Sequence, residues 1–87
     1  MGNLRKDYDD LLENGAKGDW YFMPSDAYIV IQYGDTNDFL SMIPLTGEHK
    51  WDWNGSHEAP TLSPSILVDF GSGTWHGFLR DGVLIDA

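Results

Sequence analysis

Residues 60–85 constrain the fold more than any other part of the chain, because they alternate at a period of two and are punctuated by turn residues. Pro60, Leu62, Pro64, Ile66, Val68 and Phe70 fall on one face, and Thr61, Ser63, Ser65 and Asp69 on the other, with Leu67 as the one break. Gly71-Ser-Gly73 is a tight loop, residues 74–80 read as a returning strand, and Asp81-Gly82 is a two-residue turn of the I′ type. Residues 83–85 then close a three-stranded antiparallel meander. Pro60 and Pro64 cannot donate ladder hydrogen bonds, which makes 60–64 an edge or an extended lead-in and leaves Ile66 to Phe70 as the part able to pair.

The strands upstream follow the same logic. Residues 20–23 form a short aromatic strand stopped by Pro24. Residues 27–33 are β-branched and aromatic on both faces, the pattern of a central strand. A loop of turn residues, 34–38, joins them to a strand at 39–43, and Pro44 marks an edge. Trp51 and Trp53 share one face of a further short strand, with Asn54-Gly55 as its turn. Before all of these, Asn3 is a candidate N-cap for a helix over 3–14. Leu4, Tyr8, Leu11 and Leu12 make its apolar stripe, and Gly15 stands as the C′ residue. That stripe is expected to cover an open face of the sheet or another subunit; the helix is marginal alone at this length, a frayed, detachable arm is the other reading, and the sheet is expected to fold without residues 1–15.

The expected architecture is therefore α+β and β-dominant. It is a small antiparallel β-sandwich or curled barrel of about six to seven short strands with one N-terminal helix. Residues 1–87 make one domain, a helix over 1–15 and a β domain over 20–87.

Charge narrows the partners. Fourteen carboxylates face five Lys and Arg, for a net charge of −9. Direct binding of nucleic acid is disfavoured, since that affinity rests on cations set against phosphates. Anionic membranes are disfavoured on the same ground, and no apolar run is long enough to span a bilayer. There is no Cys, which removes disulfides, thiolate metal sites and cysteine nucleophiles. The acidic N-terminus has no apolar signal core, so secretion by its own signal is not expected.

Chemistry is harder to find. His49, His57 and His76 are the histidines, and no pair has the spacing of a recognised ligand motif. A site of His57, Glu58 and His76 is conceivable, but the expectation is no metal and no cofactor. A Ser-His-Asp trio can be assembled from Ser63 or Ser65, His76, and Asp69 or Asp81. Neither serine sits in a Gly-x-Ser-x-Gly elbow, which weighs against it. Trp51 and Trp53 suit a core, and as exposed rings they would suit a gripping surface. The candidate binding residues are Trp51, Trp53, Asn54, Ser63, Ser65, His76 and Arg80. Arg80 is also expected to pair with nearby carboxylates.

Trp51-Asp-Trp-Asn-Gly55, Pro60-Thr-Leu-Ser-Pro-Ser-Ile-Leu-Val68 and His76-Gly-Phe-Leu-Arg-Asp-Gly82, in that order, resemble a family of small phage and prophage proteins. That family carries an ammonia monooxygenase label. The likeness covers roughly residues 50–86. Members carry a Cys before the His, where this chain has Trp75, so the metal chemistry the label implies has no thiolate here. The resemblance implies a phage-type protein in the host cytoplasm or virion. The expected role is a non-enzymatic protein-protein interaction module whose partner is a host or viral protein or a second copy, as a homodimer. The alternatives are a degenerate metal-binding enzyme-like domain and a self-assembling virion component.

Overall fold

The computed structural model describes residues 1–87. One helix and eight strands run in the order α1 (Tyr8–Asn14), β1 (Trp20–Phe22), β2 (Tyr28–Gln32), β3 (Leu40–Pro44), β4 (Asp52–Trp53), β5 (Leu62–Ser63), β6 (Ile66–Asp69), β7 (Thr74–Arg80) and β8 (Val83–Asp86). They form three antiparallel sheets, β1-β2-β3, β4-β5 and β6-β7-β8, and none closes into a barrel. The chain is mostly β with an N-terminal helix, as its sequence pattern requires.

β2 is the central strand that its two apolar faces call for. Ile29 and Ile31 point into the main core with Trp20, Ile43, Leu45, Leu62, Ile66 and Leu79. Val30 points the other way, where Leu11 of α1 and Tyr21 cover it. Trp20 is fully buried, and its indole Nε1 donates to the His57 carbonyl at 2.9 Å. A side chain of that size contributes roughly 3 kcal/mol or a little less by burial.

Three expectations change. The helix starts at Tyr8, because Asp7 is the N-cap and its Oδ1 accepts from the Asp10 amide at 2.8 Å. The Lys6 amide, one residue before the cap, also donates to Asp10 Oδ2 at 3.1 Å. Leu4 leaves the helical stripe for a parallel bridge with Trp20, and Gly15 ends the helix in an extended conformation. Next, the segment 60–70 is two strands in different sheets. β5 pairs with β4, β6 pairs with β7, the Ser63–Pro64 peptide between them is cis, and Pro64 is exposed while Leu62 and Ile66 face inward. Finally, Arg80 makes no ion pair. Its guanidinium lies 4.4 Å from the centre of the Phe78 ring.

The last meander forms in the expected register. Asp81 and Gly82 adopt φ of 49° and 75°, both positive as a I′ turn demands. β8 is fastened by Asp86, which accepts from the Trp75 indole at 2.8 Å and from Lys17 at 3.0 Å. The Trp75 bond first, and then Lys17, hold the Asp86 carboxyl below the usual carboxylate range. A depressed folded-state pKa stabilises the fold above the unfolded value near 3.8 and loses that stabilisation as pH falls through the folded value. Acidification below about pH 4 should therefore increase amide exchange in β8 before it does so in β2. Equal protection of the two strands down to pH 2.5 would refute it.

Candidate functional site

The outer face of the β6-β7-β8 sheet gathers the chemistry. β7 alternates: Trp75, Gly77 and Leu79 point inward, while His76, Phe78 and Arg80 point outward. The His76 and Phe78 rings lie 6.0 Å apart, as i and i+2 neighbours on one face do. On β6, Ile66 and Val68 face the core, and Leu67 and Asp69 face out. Leu67 is 68% exposed.

The register then fixes the site. His76 is directly opposite Leu67, and Phe78 is one step beyond the Ile66–Gly77 pair. The ladder ends at that pair, and Ser65 stands one residue beyond it, outside β6, while Asp69, two residues from Leu67, lies on a diagonal of His76. Diagonal neighbours on an antiparallel sheet lie about 7–8 Å apart at Cα, within reach of a long or aromatic side chain. The His76 imidazole is exposed and makes no hydrogen bond of its own. Asp69 spends one oxygen on the loop, accepting from the Gly71 amide at 2.9 Å through Oδ1, and its Oδ2 is unengaged.

This arrangement separates candidates that the sequence leaves equal. Ser63 is paired with Asp52 in the β4-β5 sheet and has no ladder partner on β7. Ser65 enters β6 half-buried, and the Trp51 indole pins its backbone by donating to the carbonyls of Pro64, at 3.1 Å, and Ser65, at 3.4 Å. Asp81 is engaged in the β7-β8 turn, where its amide donates to Thr61 Oγ1 at 2.9 Å and its Oδ1 accepts from that hydroxyl at 3.3 Å. Asp69 and His76 share the outer face, and Ser65 stands at the residue before β6.

The other sequence candidates brace the fold. Trp53 packs beside Phe22 with ring centres 5.1 Å apart and donates to the Ser56 carbonyl at 3.0 Å. Trp51 and Trp53 are both half-buried against the main core. Asn54 staples its loop, accepting from the amides of Ser56 and Thr61 at 3.2 and 3.1 Å and donating to the Ala59 carbonyl at 3.2 Å. Arg80 shares the outer face with His76, separated from it by Phe78. No group of three or more His, Asp or Glu side chains is placed to hold a metal ion.

Two features escape sequence reasoning. His57 Nε2 meets Asp26 Oδ1 at 2.9 Å, with Phe22 and Trp53 against the imidazole at 4.6 and 5.2 Å. Ser25 and Asp26 both have positive φ, 62° and 54°, and this pair holds that strained turn to the 54–59 loop. No serine hydroxyl bonds to the His57 ring. The second feature is a cup of four aromatic rings between the 34–38 loop and the β6-β7 turn, which only the folded chain assembles.

The chain belongs to the family described as bacterial ubiquitination-like system serine protease (BubE), whose model matches residues 36–86. The match spans β3 to β8 and contains Ser65, Asp69 and His76, whereas Asp26 lies outside it. No curated protein and no solved structure matches the chain.

The family membership corrects three expectations. The resemblance to the phage family with an ammonia monooxygenase label does not hold, since its motifs were short. The viral and virion setting falls with it, because the family is bacterial. The non-enzymatic module gives way to the enzyme-like alternative, since the matched family is described as a protease. A ubiquitination-like system is built of proteins, so the expectation of a protein partner stands. No helix is long and apolar enough to cross a membrane.

Proposed function

We propose that the chain is a serine hydrolase of a ubiquitination-like system that cleaves a peptide or isopeptide bond in a protein of that system. Ser65 is the nucleophile, His76 the general base, and Asp69 the carboxylate that orients the imidazole. One observation carries the reading. The β6-β7 register sets Asp69 on a diagonal of His76, with Ser65 one residue beyond the end of the ladder, inside the segment that matches a serine-protease family.

The chemistry follows from those positions. Ser65 Oγ attacks the scissile carbonyl while His76 takes the hydroxyl proton. His76 then gives that proton to the departing amine, leaving an acyl-serine. Water, deprotonated by the same imidazole, releases the acid and restores Ser65. Asp69, through its free oxygen, holds the second ring nitrogen in its protonated tautomer. Leu67, Phe78 and Ile85 surround His76 on the outer face and offer apolar support to a bound segment. β6 is also an edge strand, so its outward amides are open to an extended substrate.

A fluorophosphonate probe, which phosphonylates activated serines, tests the assignment. Labelling of the intact protein should give one adduct, mapped by peptide mass spectrometry to Ser65. Ser65→Ala should abolish it and Ser63→Ala should leave it unchanged. An adduct on Ser63, or no adduct while His76 is intact, would sink the assignment.

A further inference from the structure

Tyr33, Phe39, Phe70 and Trp75 form the walls of an open cup of about 230 Å³, with Gly34, Asp35 and Thr74 completing its lining. The rings are locked against one another. Tyr33 stacks on Trp75 at 5.4 Å, Phe39 meets Phe70 edge-on at 5.6 Å, and Tyr33 contacts Phe39 and Phe70 at 5.7 and 6.3 Å.

The cup is built by its loops. A Cβ on Gly34 would lie 2.6 Å from the Phe39 ring, so glycine is what lets that ring fold back. On the facing turn, a Cβ on Gly73 would lie 3.1 Å from the tip of Phe70, and the Phe70 amide donates to the Gly73 carbonyl at 3.0 Å. Fully buried Gln32 holds the first loop from beneath, donating from Nε2 to the Gly34 carbonyl at 3.0 Å. Phe70 nevertheless stays 39% exposed, which a ring serving only the core would not.

Charge decides what fits. Asp35 stands at the rim with no hydrogen bond and no ion pair, and the 34–38 loop carries Asp38 but no cation. The whole chain has nine more carboxylates than Lys and Arg. Aromatic faces carry negative potential and attract cations, and a carboxylate at the rim adds to the attraction. The volume is below the range of about 300–1,000 Å³ used for whole small ligands and suits one side chain.

We infer that this cup receives one cationic side chain, lysine or arginine, presented by a partner polypeptide. The cup lies at the Thr74 end of β7. The inference does not depend on Ser65 being a nucleophile, and binding alone tests it.

The full chain, labelled for amide and aromatic NMR, is titrated with capped Gly-Ser-X-Ser-Gly peptides in which X is lysine, arginine or the uncharged isostere norleucine. The lysine or arginine peptide should shift Gly34, Phe70, Thr74 and the Trp75 indole, and bind roughly fivefold or more tighter than norleucine. Phe70→Leu keeps apolar bulk at a surface turn and should weaken the cationic peptide several-fold, as should Asp35→Asn. Norleucine binding as tightly as lysine, shifts confined to other residues, or no shifts at tens of millimolar peptide would overturn the inference. Should Phe70→Leu perturb the fold, the comparison of peptides on the unaltered chain still decides.

Discussion

Asp19→Ala should destabilise the domain by about 3 kcal/mol, roughly 12–24 °C in Tm for a chain of this size. Asp19 is 1% exposed and serves four donors. Its Oδ1 accepts from the Asn3 amide at 2.9 Å, and its Oδ2 from the Ala16 amide at 3.0 Å and from Arg5 Nε and Nη2, both at 2.9 Å. Alanine strands two amides beside the core, at about 1–3 kcal/mol each, while Arg5 offsets part of its loss by turning towards water. A net stability of 5–15 kcal/mol leaves a large fraction at stake. Asp19→Asn keeps an acceptor at the same place and should lose about half as much. Chemical denaturation measures both, and a change under 0.5 kcal/mol for Asp19→Ala would show that the carboxylate is not what fastens the N-terminal segment.

The same contacts revise the idea of a detachable arm. The Trp20 amide donates to the Asn3 carbonyl at 3.2 Å, the Arg5 amide to the Trp20 carbonyl at 2.7 Å, and the Gly2 amide to the Gly82 carbonyl at 2.9 Å. Residues 2–5 therefore line β1 and reach the β7-β8 turn. Deleting 1–15 would uncover the most buried indole and leave Asp19 without Arg5.

What the sequence reveals divides along physical lines. The 66–85 meander is legible because strand period and turn chemistry are local: Ile66 and Val68 alternate with Leu67 and Asp69, and Asp81-Gly82 takes the positive φ that its turn type requires. The helix boundary is misread because Leu4 fits the helical spacing of Tyr8 and Leu11, while its actual partner is Trp20, a tertiary contact. Within 60–70 the pairing part is legible and forms β6, but period-two alternation hides the break at Ser63–Pro64 that sends Leu62 and Ser63 to a different sheet. Site residues were nameable, but the proposal of Ser65 over Ser63 and Asp69 over Asp81 rests on strand pairing that no sequence spacing reveals. The cup was invisible, since four aromatics from two stretches far apart in the chain, 33–39 and 70–75, have no spacing to read. Its local trace is a glycine next to the seat of each outer ring, Gly34 for Phe39 and Gly73 for Phe70.

Ser65→Ala and His76→Ala should each lower hydrolysis of an activated ester such as p-nitrophenyl acetate by about 10³-fold or more, and the double variant should be no slower than either alone. A nucleophile and its base act as a unit, so removing one already removes the route that the other serves. Two independent residues would instead multiply their effects, to about 10⁶-fold. Stability should hardly move, within about 0.5 kcal/mol, because His76 is exposed and bonded to nothing. Ser63→Ala should retain full activity, since its partner across the ladder is Asp52 and not β7. Asp69→Asn keeps an oxygen for the Gly71 amide and gives up the charge, so it should lose activity by a smaller factor than Ser65→Ala without loosening the loop. Multiplicative losses in the double variant, or an unchanged rate in His76→Ala, would break the link between the β6-β7 register and catalysis.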